Sequence, residues 1–217
     1  MKKSIIVFFF IFYLTFTIYA GTVTFKQFYQ NGNEKVKNQD YLGAISEYTS
    51  ALELEPKNVD AYLARGLAQS MTQNVVDAID DFNKCIELDP NNSSAYLSRA
   101  VAKALSQDYF GAVKDANKVI EYEPKNAMGY SIRSLAKVSL EDNLGAIKDS
   151  NKAIALDPKN AMAFYARGLA KSGLTKYEEA LNDLSIAGEL GQEEAYDEIK
   201  RINKIMQITN FLQIEHK

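Results

Sequence analysis

From residue 25 onward, apolar and polar positions alternate at helical spacing, and the pattern itself recurs every 34 residues. In residues 60–72, DAYLARGLAQSMT, apolar and small side chains share one face of a helix. Gln73-Asn74 then turns the chain, and VDAIDDFNKCIEL forms a second helix ended by Asp89-Pro90. The four prolines, Pro56, Pro90, Pro124 and Pro158, are each 34 residues apart. Proline lacks an amide hydrogen and disfavours helix in the residue before it, so it stops every second helix in the same register. Alanine keeps the step at Ala44, Ala78, Ala112, Ala146 and Ala180. An aromatic keeps it at Phe28, Tyr62, Tyr96, Tyr130 and Phe164. A long apolar residue keeps it at Leu54, Leu88, Tyr122, Leu156 and Leu190. Between units, stretches such as Asn91-Asn92-Ser93 offer Asn or Ser to cap the next helix. One helix pair cannot bury both its faces, but the next pair stacked on it does so. The pattern predicts an all-α solenoid of antiparallel helix pairs.

The string Tyr62, Gly66, Ala78, Phe82 and Pro90 in the second unit resembles the tetratricopeptide repeat (TPR) family. The resemblance covers five units: 25–58, 59–92, 93–126, 127–160 and 161–194. It implies a right-handed superhelix whose first helices line a concave face. Around the repeats, residues 21–24 read as a short lead, 195–210 as an amphipathic capping helix that could start at 193, and 211–217 as a tail. The first-helix aromatic is Phe or Tyr throughout, and the fifth unit closes on Gly191-Gln192 instead of proline. The bulky aromatic four residues after the alanine is Tyr48 and Phe82 early on, then shrinks to Ala116, Ser150 and Leu184. The third and fourth units are therefore expected to pack closer or to be less stable.

Arginine stands before the glycine register at Arg65, Arg99, Arg133 and Arg167. Sixteen residues after each comes an acid: Asp81, Asp115, Asp149 and Asp183. The first unit has Asn31 and Glu47 instead. Unpaired buried charge is costly, which favours a ladder of structural ion pairs between the helices over an exposed basic row for acidic partners.

By the resemblance, the concave face carries Tyr29, Leu63, Leu67, Met71, Leu97, Val101, Leu105, Met128, Ile132, Leu135, Met162, Tyr165 and Leu169, with Ser94, Ser98, Ser131 and Ser172 between them. About half of an apolar stripe at helical spacing is expected to be core. The remainder forms a groove for an extended or helical apolar peptide, and methionines let it adapt to several ligands. A subset of the family grips C-terminal carboxylates with lysine, asparagine and arginine. The equivalent places here are Tyr29, Asn33, Ala64, Ser94 and Ser98, of which only Asn33 matches, so that clamp is not expected.

The first twenty residues follow another pattern. Lys2 and Lys3 precede an apolar run from Ile5 to Phe16 that ends near Ala20-Gly21. This is the layout of a secretory signal peptide over 1–20, and it implies a periplasmic, envelope-associated or secreted protein. The rival reading is an uncleaved anchor, the one way in which membrane contact is expected. Composition narrows function further. The net charge is −3, and loss of Lys2 and Lys3 leaves 23 basic against 28 acidic residues, so nucleic acid is not an expected partner. A single cysteine, Cys85, and a single histidine, His216, exclude an intrachain disulfide and most zinc or His-based catalytic sites. Cys85 falls in a small column with Ala51, Val119 and Ala153, which reads as packing. No phosphate loop or nucleophile elbow is present. The expectation is a non-enzymatic protein–protein scaffold with no cofactor or metal, binding a protein or peptide partner. The alternatives are a targeting subunit for a separate enzyme, or self-association through an open N-terminal face bearing Phe25 and Phe28.

Overall fold

A computed structural model describes residues 24–215 of the chain. The segment read as a signal peptide lies outside the described residues, as does His216. Eleven helices and no strand occur among the described residues. The five pairs are α1 (Phe25–Lys37) with α2 (Tyr41–Leu54), α3 (Val59–Met71) with α4 (Val75–Leu88), α5 (Ser93–Leu105) with α6 (Tyr109–Tyr122), α7 (Ala127–Ser139) with α8 (Asn143–Leu156), and α9 (Ala161–Gly173) with α10 (Tyr177–Glu189). A last helix, α11 (Glu194–Glu215), lies against α10. Each pair packs on the next in chain order, which makes a superhelical solenoid.

The helix ends have local causes. Asn58, Asn92, Asn126 and Asn160 each cap a first helix, their side chains accepting from the backbone N–H three residues on. Asp40, Asp108 and Asp142 cap second helices in the same way. The turn inside each pair needs one residue in the left-handed region, where glycine is the cheap choice. Here that residue is Gln39, Gln73, Gln107, Glu141 or Thr175, with φ between 59° and 65°. No glycine in the sequence marks this turn, so reading for Gly punctuation misses its cause.

Alanine makes close packing between the helices. The column Ala44, Ala78, Ala112, Ala146 and Ala180 is fully buried, and so is the column Ala51, Cys85, Val119, Ala153 and Ala187. Where one position grows, its neighbour shrinks. Val119 is the bulkiest member of its column, and the residue facing it from the next pair is Gly129, where a Cβ would come within 2.8 Å of Val119 Cγ1. Tyr48 and Phe82 pack onto Gly32 and Gly66. The corresponding positions of the third pair hold Ala116 and Ala100, both fully buried.

One boundary differs from the sequence reading. The last helix begins at Glu194 and runs on to Glu215, past residue 210, because no glycine or proline interrupts it. The segment 211–215 is therefore helix and not tail.

Candidate partner-binding face

Each pair is fastened by charge, and the fastening decides which side chains are free to meet a partner. Arg65 Nε and Nη2 donate to the two carboxylate oxygens of Asp81, both at 2.7 Å. Arg99 meets Asp115, Arg133 meets Asp149 and Arg167 meets Asp183 through the same two-pronged bond, at 2.6–2.9 Å. The aspartates are buried. The hydrogen bond to Asp81 holds the Arg65 guanidinium above its usual pKa. Each guanidinium also sits over the aromatic column: Tyr62, Tyr96, Tyr130 and Phe164, at 5.3–5.6 Å from the ring centres. So engaged, the arginines do not form an exposed basic row. In the first pair, Asn31 donates to Glu47 at 3.3 Å instead.

Two partners of this network escaped the sequence reading. Lys103, Lys137 and Lys171, one helical turn after the arginines, each reach the same aspartate at 2.8 Å. The third nitrogen of each arginine crosses to the preceding pair. Arg99, Arg133 and Arg167 donate to Asn83, Asn117 and Asn151 at 2.7 Å, and Arg65 donates to Thr49 at 3.1 Å. The signal was present, since the lysines stand four residues after arginine and the asparagines sixteen before. The second pair departs from it, with Gln69 in the lysine place and its Oε1 buried without a partner. Arg201 continues the arginine period but has Lys217 sixteen residues on, and it pairs with Glu198 at 2.7 Å.

The apolar stripe divides along the solenoid. Leu67, Met71, Val101, Leu105 and Met128 are exposed. Tyr29, Leu63, Leu97, Leu135, Met162, Tyr165 and Leu169 are half-buried. Ile132 is a correction: at 3% exposure it belongs to the core with Ala100 and Ala116, flanked by Leu97 and Met162. The cause is curvature. α7 lies broadly against α9, whereas α3 barely touches α5, so the first helices close over the stripe late in the array and part early in it. Of the serines expected between them, Ser131 and Ser172 are buried, while Ser94 is exposed.

The open stretch begins at a cleft of about 310 Å³ between the first two pairs, walled by Tyr29, Tyr48, Val36, Leu63 and Leu67. Tyr48 donates its hydroxyl to Asn33 at 2.8 Å, and its pKa is pushed up to about 12, chiefly by burial. Burial also raises Tyr29, with the Asp60 carboxylate at the cleft adding to it. Both phenols stay neutral donors at any physiological pH. Phe25 stacks on Tyr29 with ring centres 5.6 Å apart, so the N-terminal face is part covered by its own aromatics.

Other chemistry is sparse. Cys85 is buried, and burial pushes its thiol up to about 11, which removes the reactive thiolate. Among the described residues no group of His, Cys, Asp and Glu could hold a metal ion, and no helix is long and apolar enough to cross a membrane.

Comparison with known proteins shows what these repeats are similar to. A family model described as a TPR repeat matches residues 32–73, and one described as a tetratricopeptide repeat matches residues 59–92. A crystal structure of MamA protein is 25% identical with a TM-score of 0.69, over 80% of this chain and 95% of that one. YrrB, described as a TPR protein with an unusual peptide-binding site, shares the fold at 18% identity and a TM-score of 0.67, over 86% of this chain and 97% of its own. A tetratricopeptide repeat protein from Parabacteroides merdae ATCC 43184 shares it at 16% identity and a TM-score of 0.72, over 84% of this chain and 73% of that one. No curated protein matches the sequence.

Proposed function

This chain is a tetratricopeptide repeat protein, a class that serves as a protein-interaction scaffold, and we propose that it binds an apolar peptide or protein segment on its concave face without catalysing a reaction. The observation that carries the reading is the run of exposed side chains Leu67, Met71, Val101 and Leu105 on two successive first helices. Large apolar groups gathered on one face of a repeat array favour a partner that removes them from water. The ion network supports the same assignment, because it consumes the arginines and lysines of α3, α5, α7 and α9 and leaves Leu67, Met71, Val101 and Leu105 as the exposed side chains of the strip. A guest there is held by shape and apolar burial, which suits a helix or strand with alternating apolar anchors.

The N-terminal segment supports an exported scaffold, whose partners would be other exported or envelope proteins. N-terminal sequencing of the purified chain checks that placement, with Gly21 as the expected first residue and Met1 or Lys2 counting against it. Capture from the native envelope fraction tests the groove. The full chain is expected to retain a defined protein that Leu67→Asp with Val101→Asp loses, while circular dichroism shows both baits equally helical. Identical capture by both baits would overturn the groove.

A further inference from the structure

The last helix presents surface that its own molecule leaves uncovered. The first helices of the five pairs all stop in one register, at Lys37, Met71, Leu105, Ser139 and Gly173. In that register α11 reaches Gln207 and then continues for eight residues, to Glu215. At 1.5 Å per residue the overhang is about 12 Å. Its base is fixed, since Ala195 and Ile202 are fully buried in the core around Phe164 and Leu184. Past Met206 the described side chains are exposed, Ile208 at 52% and Phe211 at 60%.

The chemistry of this overhang matches one other surface of the same chain. Ile208 and Phe211 stand at i and i+3, a spacing of anchors that lay a helix into a groove. No residue from Ile205 to Ile214 is charged. The concave strip of Leu67, Met71, Val101 and Leu105 is likewise uncharged, with Ser98 and Ala104 beside it. Placing a charged segment on such a strip would desolvate charge without a partner, and an uncharged helix avoids that cost.

We infer that the overhanging end of α11 docks into the concave strip of a second copy of the chain. The inference rests on reading that strip as the binding face. The contact joins two molecules, because α11 is one unbroken helix whose base is buried at the fifth pair, and its end cannot turn into its own groove without breaking. It is also a tip-to-groove contact between unlike surfaces. A docked pair either exchanges both tips reciprocally or keeps one tip and one groove free for a further copy.

Cross-linking in the full chain tests this directly, because Cys85 is the only native cysteine and is buried. Chains carrying Phe211→Cys are mixed with chains carrying Leu67→Cys, Met71→Cys, Val101→Cys or Leu105→Cys, and oxidised. A disulfide forms only when the two Cα atoms come within about 7 Å. The expected result is a mixed cross-linked pair at one or more groove positions, several-fold above Phe211→Cys mixed with Leu144→Cys, an exposed site elsewhere on the solenoid. Equal yields at all sites, or none in the groove, overturn the proposal. Sedimentation gives a second readout: Ile208→Asp with Phe211→Asp lowers the average mass relative to the parent chain at equal concentration, and an unchanged mass overturns it. The two readings separate cleanly. If the envelope protein is still lost with Leu67→Asp and Val101→Asp while neither cross-link nor mass responds, the groove stands and this occupant is wrong. Cross-linking into the groove when the envelope fraction yields no partner supports the second copy as its guest.

Discussion

In the second helix pair Phe82 packs onto Gly66, and a Cβ on that glycine would come within 2.7 Å of the ring. In the fourth pair the same two positions hold Ser150 and Ser134, their hydroxyl oxygens 2.7 Å apart. Ser134 donates to the carbonyl of Ala146, which leaves Ser150 to donate to Ser134. All four side-chain positions are buried. The charged fastening differs as well. Asp149 takes three donors from Arg133 and Lys137, whereas Asp81 takes two from Arg65 beside an unsatisfied Gln69. The contact between the two helices of a pair is therefore set by two facing positions read together, not by either residue. A ring on a glycine fills more room than two serine side chains, and the serines put a hydrogen bond where the second pair has apolar bulk. The second pair leans on apolar burial and the fourth on a polar network.

The largest effect that separates them comes from Phe82→Ala, which removes the ring from a position with no access to water and leaves a cavity over Gly66. It is expected to cost about 3–5 kcal/mol in urea unfolding. A cost below that of any one hydroxyl would break the comparison. Next is Asp149→Ala, which strands Arg133 and Lys137 together and is expected to cost about 3 kcal/mol, more than Asp81→Ala, which strands Arg65 alone. Equal losses would show that Lys137 adds nothing. Ser150→Ala is smaller, about 1 kcal/mol, since Ser134 keeps its bond to the Ala146 carbonyl. The smallest effect has the opposite sign. Gln69→Lys gives Asp81 the third donor found in the later pairs and removes the orphaned amide oxygen, for an expected gain under about 1 kcal/mol in thermal unfolding.

The repeat, its proline stops and the arginine–aspartate spacing were legible because each is a fixed interval along the chain. Intervals survive folding unchanged when one unit is stacked on the next. The expectation that the third and fourth units pack closer or weaken followed Ala116 and Ser150 alone. Their facing partners, Ala100 and Ser134, stand sixteen residues earlier and put a slightly larger side chain where the early pairs have glycine, which offsets only part of the lost bulk. Exposure along the concave face was not legible, because it depends on how far neighbouring first helices part. Leu67, Val101, Leu135 and Leu169 share one register, yet the first two are exposed and the last two half-buried. The left-handed turns were missed for a different reason: Gln, Glu and Thr occupy a place that glycine would have advertised.

The arginines that cross from one pair to the preceding one give the solenoid a graded stiffness. Arg99, Arg133 and Arg167 each hold two hairpins at once, so flexing those joints means stretching bonds that also close the hairpin itself. At the first joint the crossing bond from Arg65 ends on the Thr49 hydroxyl at 3.1 Å, and the hairpin before it has Asn31 and Glu47 where the later ones have the arginine–aspartate pair. The array is thus a rod with one supple end, and that end holds the mouth of the cleft through which an incoming chain would enter.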